Sequence, residues 1–98
     1  MELTQIPEAF QSRLRLMIVS ALVMGKKSFT ELKSITAATD GNLSVQISKL
    51  EQWGYLTVEK LFVAKKPMTV CKLTPKAISD FKEYVEMLNH VLSEPEEN

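Results

Sequence analysis

Residues 28–55, SFTELKSITAATDGNLSVQISKLEQWGY, hold two helix starts, one tight turn and one helix stop. Ser28 and Glu31 have capping-box spacing: the serine hydroxyl takes the backbone N–H three residues on, and the glutamate reaches back to the serine N–H. The short helix opened this way is expected to turn Leu32 and Ile35 inward. Ala37-Ala38 predicts a tight turn, and Thr39 predicts the cap of a second helix. From Asp40 to Trp53 the apolar residues Leu43, Ile47 and Leu50 recur at i, i+4 and i+7, with Trp53 on the same stripe. Gly54 predicts the end of that helix.

Upstream, Pro7 suits the first turn of a helix, and Phe10, Leu14, Met17, Ile18, Ala21 and Leu22 recur at three- and four-residue spacing until Gly25. Downstream, Tyr55 to Phe62 changes to near-alternation, which predicts a strand. Ala64-Lys65-Lys66-Pro67 is expected to be the turn, and Met68 to Leu73 the returning strand. Thr74-Pro75 is a cap followed by a helix-starting proline, and the last helix should run to about Leu92. The order is helix, helix, helix, hairpin, helix, with no repeat and no linker. The expected fold is mainly α with a small β-hairpin wing, a winged helix-turn-helix, as one domain over 1–98 whose acidic tail, 93–98, frays.

The segment Thr39-Asp40-Gly41-Asn42-Leu43-Ser44, followed by Lys49-Leu50-Glu51-Gln52-Trp53-Gly54-Tyr55, resembles small winged-helix regulators related to the MarR-like and ArsR-like groups. Lys66-Pro67 and Leu73-Thr74-Pro75 match that family's wing and last-helix start. The resemblance spans residues 10–90 and implies a dimeric, DNA-binding transcriptional regulator. It does not imply an arginine contact from the wing, because this chain has Val63-Ala64 and Met68 where relatives often carry glycine and arginine.

The residues supply their own reason for DNA. With Leu43, Ile47 and Leu50 inward, Asn42, Ser44, Val45, Gln46, Ser48 and Lys49 face outward or sideways. That face is short, polar and almost uncharged, which suits a major groove better than bulk solvent. Asn42 and Gln46 can bond an adenine edge in two places, the serines can bond bases or phosphates, and Val45 can touch a thymine methyl. Lys49 suits a phosphate, as do Lys65 and Lys66 on the wing. Gly41 weakens a helix so near its start; a side chain there would collide with DNA or with the preceding helix, and packing against that helix is the expected cause. Asp40 would repel phosphate and is read as a first-turn dipole residue.

The charge distribution agrees. The 98 residues have zero formal net charge, but 26–76 carry nine lysines against four acids, while 77–98 carry one lysine against six acids. A basic middle and an acidic end suggest separate faces for separate partners. The last helix places Ile78, Phe81, Val85, Leu88 and Leu92 on one seam, widened by Ala77, Tyr84 and Val91. One small domain cannot easily cover it all, and a homodimer interface at Ile78, Phe81, Tyr84, Val85, Leu88 and Leu92 is expected.

Catalysis finds no support. His90 is the sole histidine and has no nucleophile beside it in sequence; Cys71 is the sole cysteine, in an apolar strand. No metal site, cofactor or phosphate-binding glycine loop is expected. The longest apolar run, Leu16 to Met24, is too short to span a bilayer and lacks a cleavage site, so no membrane partner and a cytoplasmic location are expected. RNA binding would need an aromatic stacking platform that the pattern does not offer. The sequence thus reads as a homodimeric, sequence-specific transcriptional regulator, a repressor, bound to double-stranded DNA. It sets the helix at 40–53 in the major groove and the wing at 63–67 on the flanking backbone. Its rival is a winged-helix protein-interaction module that does not read DNA, favoured by the zero net charge. No small-molecule effector can be named from sequence.

Overall fold

In the computed structural model, which describes residues 1–93, four helices and three strands follow two 3₁₀ turns, Leu3–Gln5 and Glu8–Phe10. The elements are α1 (Arg13–Leu22), β1 (Lys27–Ser28), α2 (Phe29–Thr36), α3 (Asp40–Gln52), β2 (Leu56–Val63), β3 (Lys66–Leu73) and α4 (Pro75–Ser93). Pro7 precedes the second 3₁₀ turn rather than α1. The helix proper waits for Ser12, whose Oγ accepts from the Arg15 N–H at 3.0 Å and caps α1. Apart from Ser93, which closes α4, the acidic tail expected to fray lies outside the described residues.

The local signals around the helix-turn-helix are met in atomic detail. Ser28 Oγ accepts from the Glu31 N–H at 3.1 Å and Glu31 Oε1 accepts from the Ser28 N–H at 3.0 Å, completing the capping box. Ala37 closes α2 in the left-handed region at φ 57°, and its N–H donates to Lys33 O. Thr39 Oγ1 then accepts from the Asn42 N–H at 3.2 Å and starts α3. At the far end Gly54, at φ 81°, lets Tyr55 N–H reach Leu50 O and its own N–H reach Glu51 O. That pair of bonds is the Schellman closure, which needs a residue at ease with positive φ.

Leu43, Ile47 and Leu50 are buried, as their spacing predicts, beside Ile18, Val19 and Leu22 of α1 and Leu32 of α2. Each fully buried aliphatic side chain of this kind contributes roughly 1.5–3 kcal/mol. Ile35 departs from expectation and is 47% exposed. With α2 only eight residues long and turned away at Ala37, Leu32 is its one fully buried residue, and Phe29 packs half-buried against the core.

The sheet is antiparallel in the order β1-β3-β2, with Leu56 opposite Leu73 and Val63 opposite Lys66. The two-residue β1, which sequence patterning does not suggest, pairs Lys27 with Cys71 and Ser28 with Val70. The hairpin turn is shorter than expected: only Ala64 and Lys65 form it, at φ 52° and 66°, while Lys66 and Pro67 belong to β3. Two consecutive left-handed residues match the right-handed twist of the strands, at a strain of about 1–2 kcal/mol for each non-glycine residue. Pro67 faces Phe62 one pair beyond the turn. That pair exchanges no backbone bonds because the one before it does, so the missing proline N–H leaves no gap.

Thr74 links the sheet to α4. Its Oγ1 donates to Gly54 O at 2.6 Å and accepts from the Ala77 N–H at 3.2 Å. Phe10 packs against Tyr55, Phe81 and Tyr84 with ring centroids 5.2–5.7 Å apart, and thereby docks α4 on the body. Tyr55 Oη donates to Asp80 Oδ2 at 2.6 Å across the same contact. Burial first and the carboxylate second push the Tyr55 hydroxyl well above its ordinary range. Much of α4 and the hairpin tip lie outside the core, and the molecule measures 64 × 25 × 21 Å with a radius of gyration of 15.5 Å.

Candidate nucleic-acid interface

Burying Leu43, Ile47 and Leu50 turns the opposite face of α3 outward. Asn42, Ser44, Val45, Ser48 and Lys49 are all exposed there, and Val45 is half accessible at 50%. Asp40, the one acid in the first turn, is paired with Lys33 of α2 at 2.6 Å. Both partners are largely solvated, so the pair adds little stability, but it offsets a charge that would repel phosphate. A Cβ at Gly41 would meet no atom within 4 Å. Packing within the chain therefore does not require this glycine, contrary to the sequence-based expectation. Lys65 and Lys66 are exposed at the hairpin tip, and Lys60 is exposed midway along β2.

Gln46 differs from its neighbours. It is half-buried, and its Oε1 accepts from Arg15 Nη1 at 2.9 Å. Arg15 is itself 8% exposed. Its Nε and Nη2 both donate to Glu8 O, at 3.2 and 2.9 Å, and its guanidinium lies 5.3 Å from the centre of the Trp53 ring. A buried cation thus ties the second 3₁₀ turn, α1 and α3 together through neutral partners. In the sequence Arg15 stands out only as a charge before an apolar run. The signal that marks it is its spacing: Arg15, Ile18, Val19 and Leu22 share one helical stripe, and all four are buried.

The expected interface residues of α4 divide into two groups. Phe81 and Tyr84 are half-buried against Phe10 of the same chain. Ile78, Val85, Leu88 and Leu92 are 57%, 39%, 37% and 84% exposed. Inward, the helix instead buries Ala77 and Met87. Val23 of the α1–β1 connection meets Ile78, Phe81 and Val85 around an apolar groove of about 340 Å³.

Cys71 is fully buried in β3, and its thiol is pushed up to about 11, mainly by burial and then by the charge of Glu51. A thiol held protonated is a poor nucleophile and metal ligand. Native protein is expected to resist thiol reagents and mild oxidants, reacting only once unfolded, and its DNA affinity should not change on adding zinc. Rapid modification of native Cys71, followed by mass spectrometry, would contradict this. No helix among the described residues is long and apolar enough to cross a membrane.

Three helices ending in an exposed polar α3, followed by a lysine-tipped hairpin, define a winged helix-turn-helix protein. Residues 14–92 match the winged helix DNA-binding domain family, and the chain belongs to that family. An uncharacterised protein of Methanocaldococcus jannaschii is 35% identical over 78 residues, covering 78% of this chain and 84% of the relative. A transcriptional regulator homologue from Pyrococcus horikoshii OT3 superposes with a TM-score of 0.73 at 27% identity, over 87% of this chain and 90% of that one. A protein assigned to the MarR family of transcriptional regulators, from Enterococcus faecalis V583, reaches 0.75 at 19% identity, over 84% and 74%. The chain is a DNA-binding regulator domain and not an enzyme.

Proposed function

We propose that the protein is a homodimeric, sequence-specific transcriptional repressor that sets α3 in the major groove and rests its wing on the flanking backbone. The observation that carries this reading is the outer face of α3. Asn42, Ser44, Val45, Ser48 and Lys49 stand exposed together, and the only acid of that helix's first turn is already paired. Asn42, the serines and Val45 meet base edges, and Lys49 meets a phosphate. The open space over Gly41 admits a close approach by the duplex backbone. Lys65 and Lys66 offer point charges to phosphates beyond the groove. Symmetric pairing of α4 through Ile78, Val85, Leu88 and Leu92, with Phe81 and Tyr84 at its edge, presents two copies of α3 to half-sites about one helical turn apart.

Salt titrations on specific and random duplexes test the division of labour. Lys65→Ala with Lys66→Ala should weaken all sequences alike and flatten the salt dependence by about 0.9 in log–log slope for each phosphate no longer neutralised. An unchanged slope would remove the wing from the backbone. The protein-interaction reading draws on Phe62, which is 81% exposed at the wing tip beside half-exposed Val63. Should the wild type bind no duplex even at low salt, that reading replaces the repressor.

A further inference from the structure

We infer that Arg15 fixes the hydrogen-bonding polarity of Gln46, so that this position of α3 reads DNA as a donor only; the inference rests on the DNA-binding reading above. A glutamine amide has an acceptor oxygen and a donor NH₂, and bidentate recognition of adenine uses both, one toward N6 and one toward N7. Here the oxygen is taken by Arg15 Nη1 at 2.9 Å. The assignment of the two amide ends is chemically forced, because a guanidinium has no acceptor and could not bond the NH₂.

Arg15 cannot readily release that oxygen. Its Nε and Nη2 are held by Glu8 O, its plane lies near Trp53, and it is 8% exposed. The amide is planar, so an oxygen held toward the interior cannot also lie against a base edge. The NH₂ is the end left for an outside partner. It matches an acceptor on a base: purine N7, guanine O6 or thymine O4. The sequence-based expectation of adenine read in two places at Gln46 is thereby replaced.

Selection from a random duplex pool with wild type and Gln46→Ala identifies the base pair at which discrimination disappears. At that pair, deleting the exocyclic amino group of the contacted base should leave wild-type affinity unchanged. Deleting its acceptor atom, by a 7-deaza purine where a purine is selected, should weaken binding about tenfold, without effect on Gln46→Ala. Gln46→Glu keeps an oxygen for Arg15 and should fold with an undiminished melting temperature, yet lose about tenfold in the ratio of specific to random binding. Arg15→Met frees the amide and should admit adenine there through its amino group. A wild type that depends on the exocyclic amino group, or a Gln46→Glu ratio equal to wild type, overturns the inference while leaving DNA binding intact. Absence of any duplex binding would remove both readings together.

Discussion

Leu88→Asp is expected to leave the protein monomeric and to lower its affinity for a complete two-half-site duplex by about a hundredfold or more. Leu88 is 37% exposed in a single chain, between Val85 and Leu92, which are 39% and 84% exposed. A carboxylate there costs the isolated fold little. In a symmetric α4 pair it appears twice in one apolar seam, where burying an unpaired charge costs several kcal/mol per ion. The variant should keep its melting temperature at low concentration, keep its single half-site affinity, and forgo only the gain from two half-sites on one duplex. Sedimentation equilibrium and paired titrations on full and half sites check this. Wild-type protein that sediments as a monomer at high concentration would sink the dimer, and the half-site geometry with it.

Arg15→Ala is expected to cost about 3 kcal/mol of folding stability. Three charge-assisted bonds, two to Glu8 O and one to Gln46 Oε1, disappear together with the packing on Trp53. Hydrogen bonds to charged groups contribute about 1.5–3 kcal/mol each, and the relief of desolvating a buried guanidinium takes back much of that sum. In a domain of this size the melting temperature should fall by roughly 10–20 °C. Arg15→Lys should recover little, since an ammonium cannot present a planar fork to Glu8 and Gln46 while lying on an indole. Urea titrations of both variants measure the effect. A loss below about 1 kcal/mol would mean that α3 is held by its apolar stripe alone.

Features that are local in the chain are legible in the sequence. The Ser28–Glu31 box, the Thr39 cap and the Gly54 stop each depend on bonds spanning a few residues, so their residue types carry the whole signal. The hairpin turn is harder to place because its favoured sequence contains Asn-Gly or a like pair, whereas Ala64-Lys65 takes the same conformation without it. The fate of Gln46 depends on a partner 31 residues earlier, and no periodicity in α3 reports that bond. Which part of the α4 seam turns inward likewise depends on where Phe10 arrives. Helical spacing marks an apolar face and does not say how much of it one's own chain will cover.

The 64 Å length has a consequence for measuring this protein. A compact chain of about a hundred residues has a radius of gyration near 13 Å, against 15.5 Å here. The excess comes from the projecting hairpin and α4, and it raises the frictional drag of a single copy above that of a sphere of equal mass. On a sizing column one elongated 11.1 kDa chain therefore travels with heavier globular standards. Elution volume alone would count subunits too generously, whereas light scattering reads mass without regard to shape.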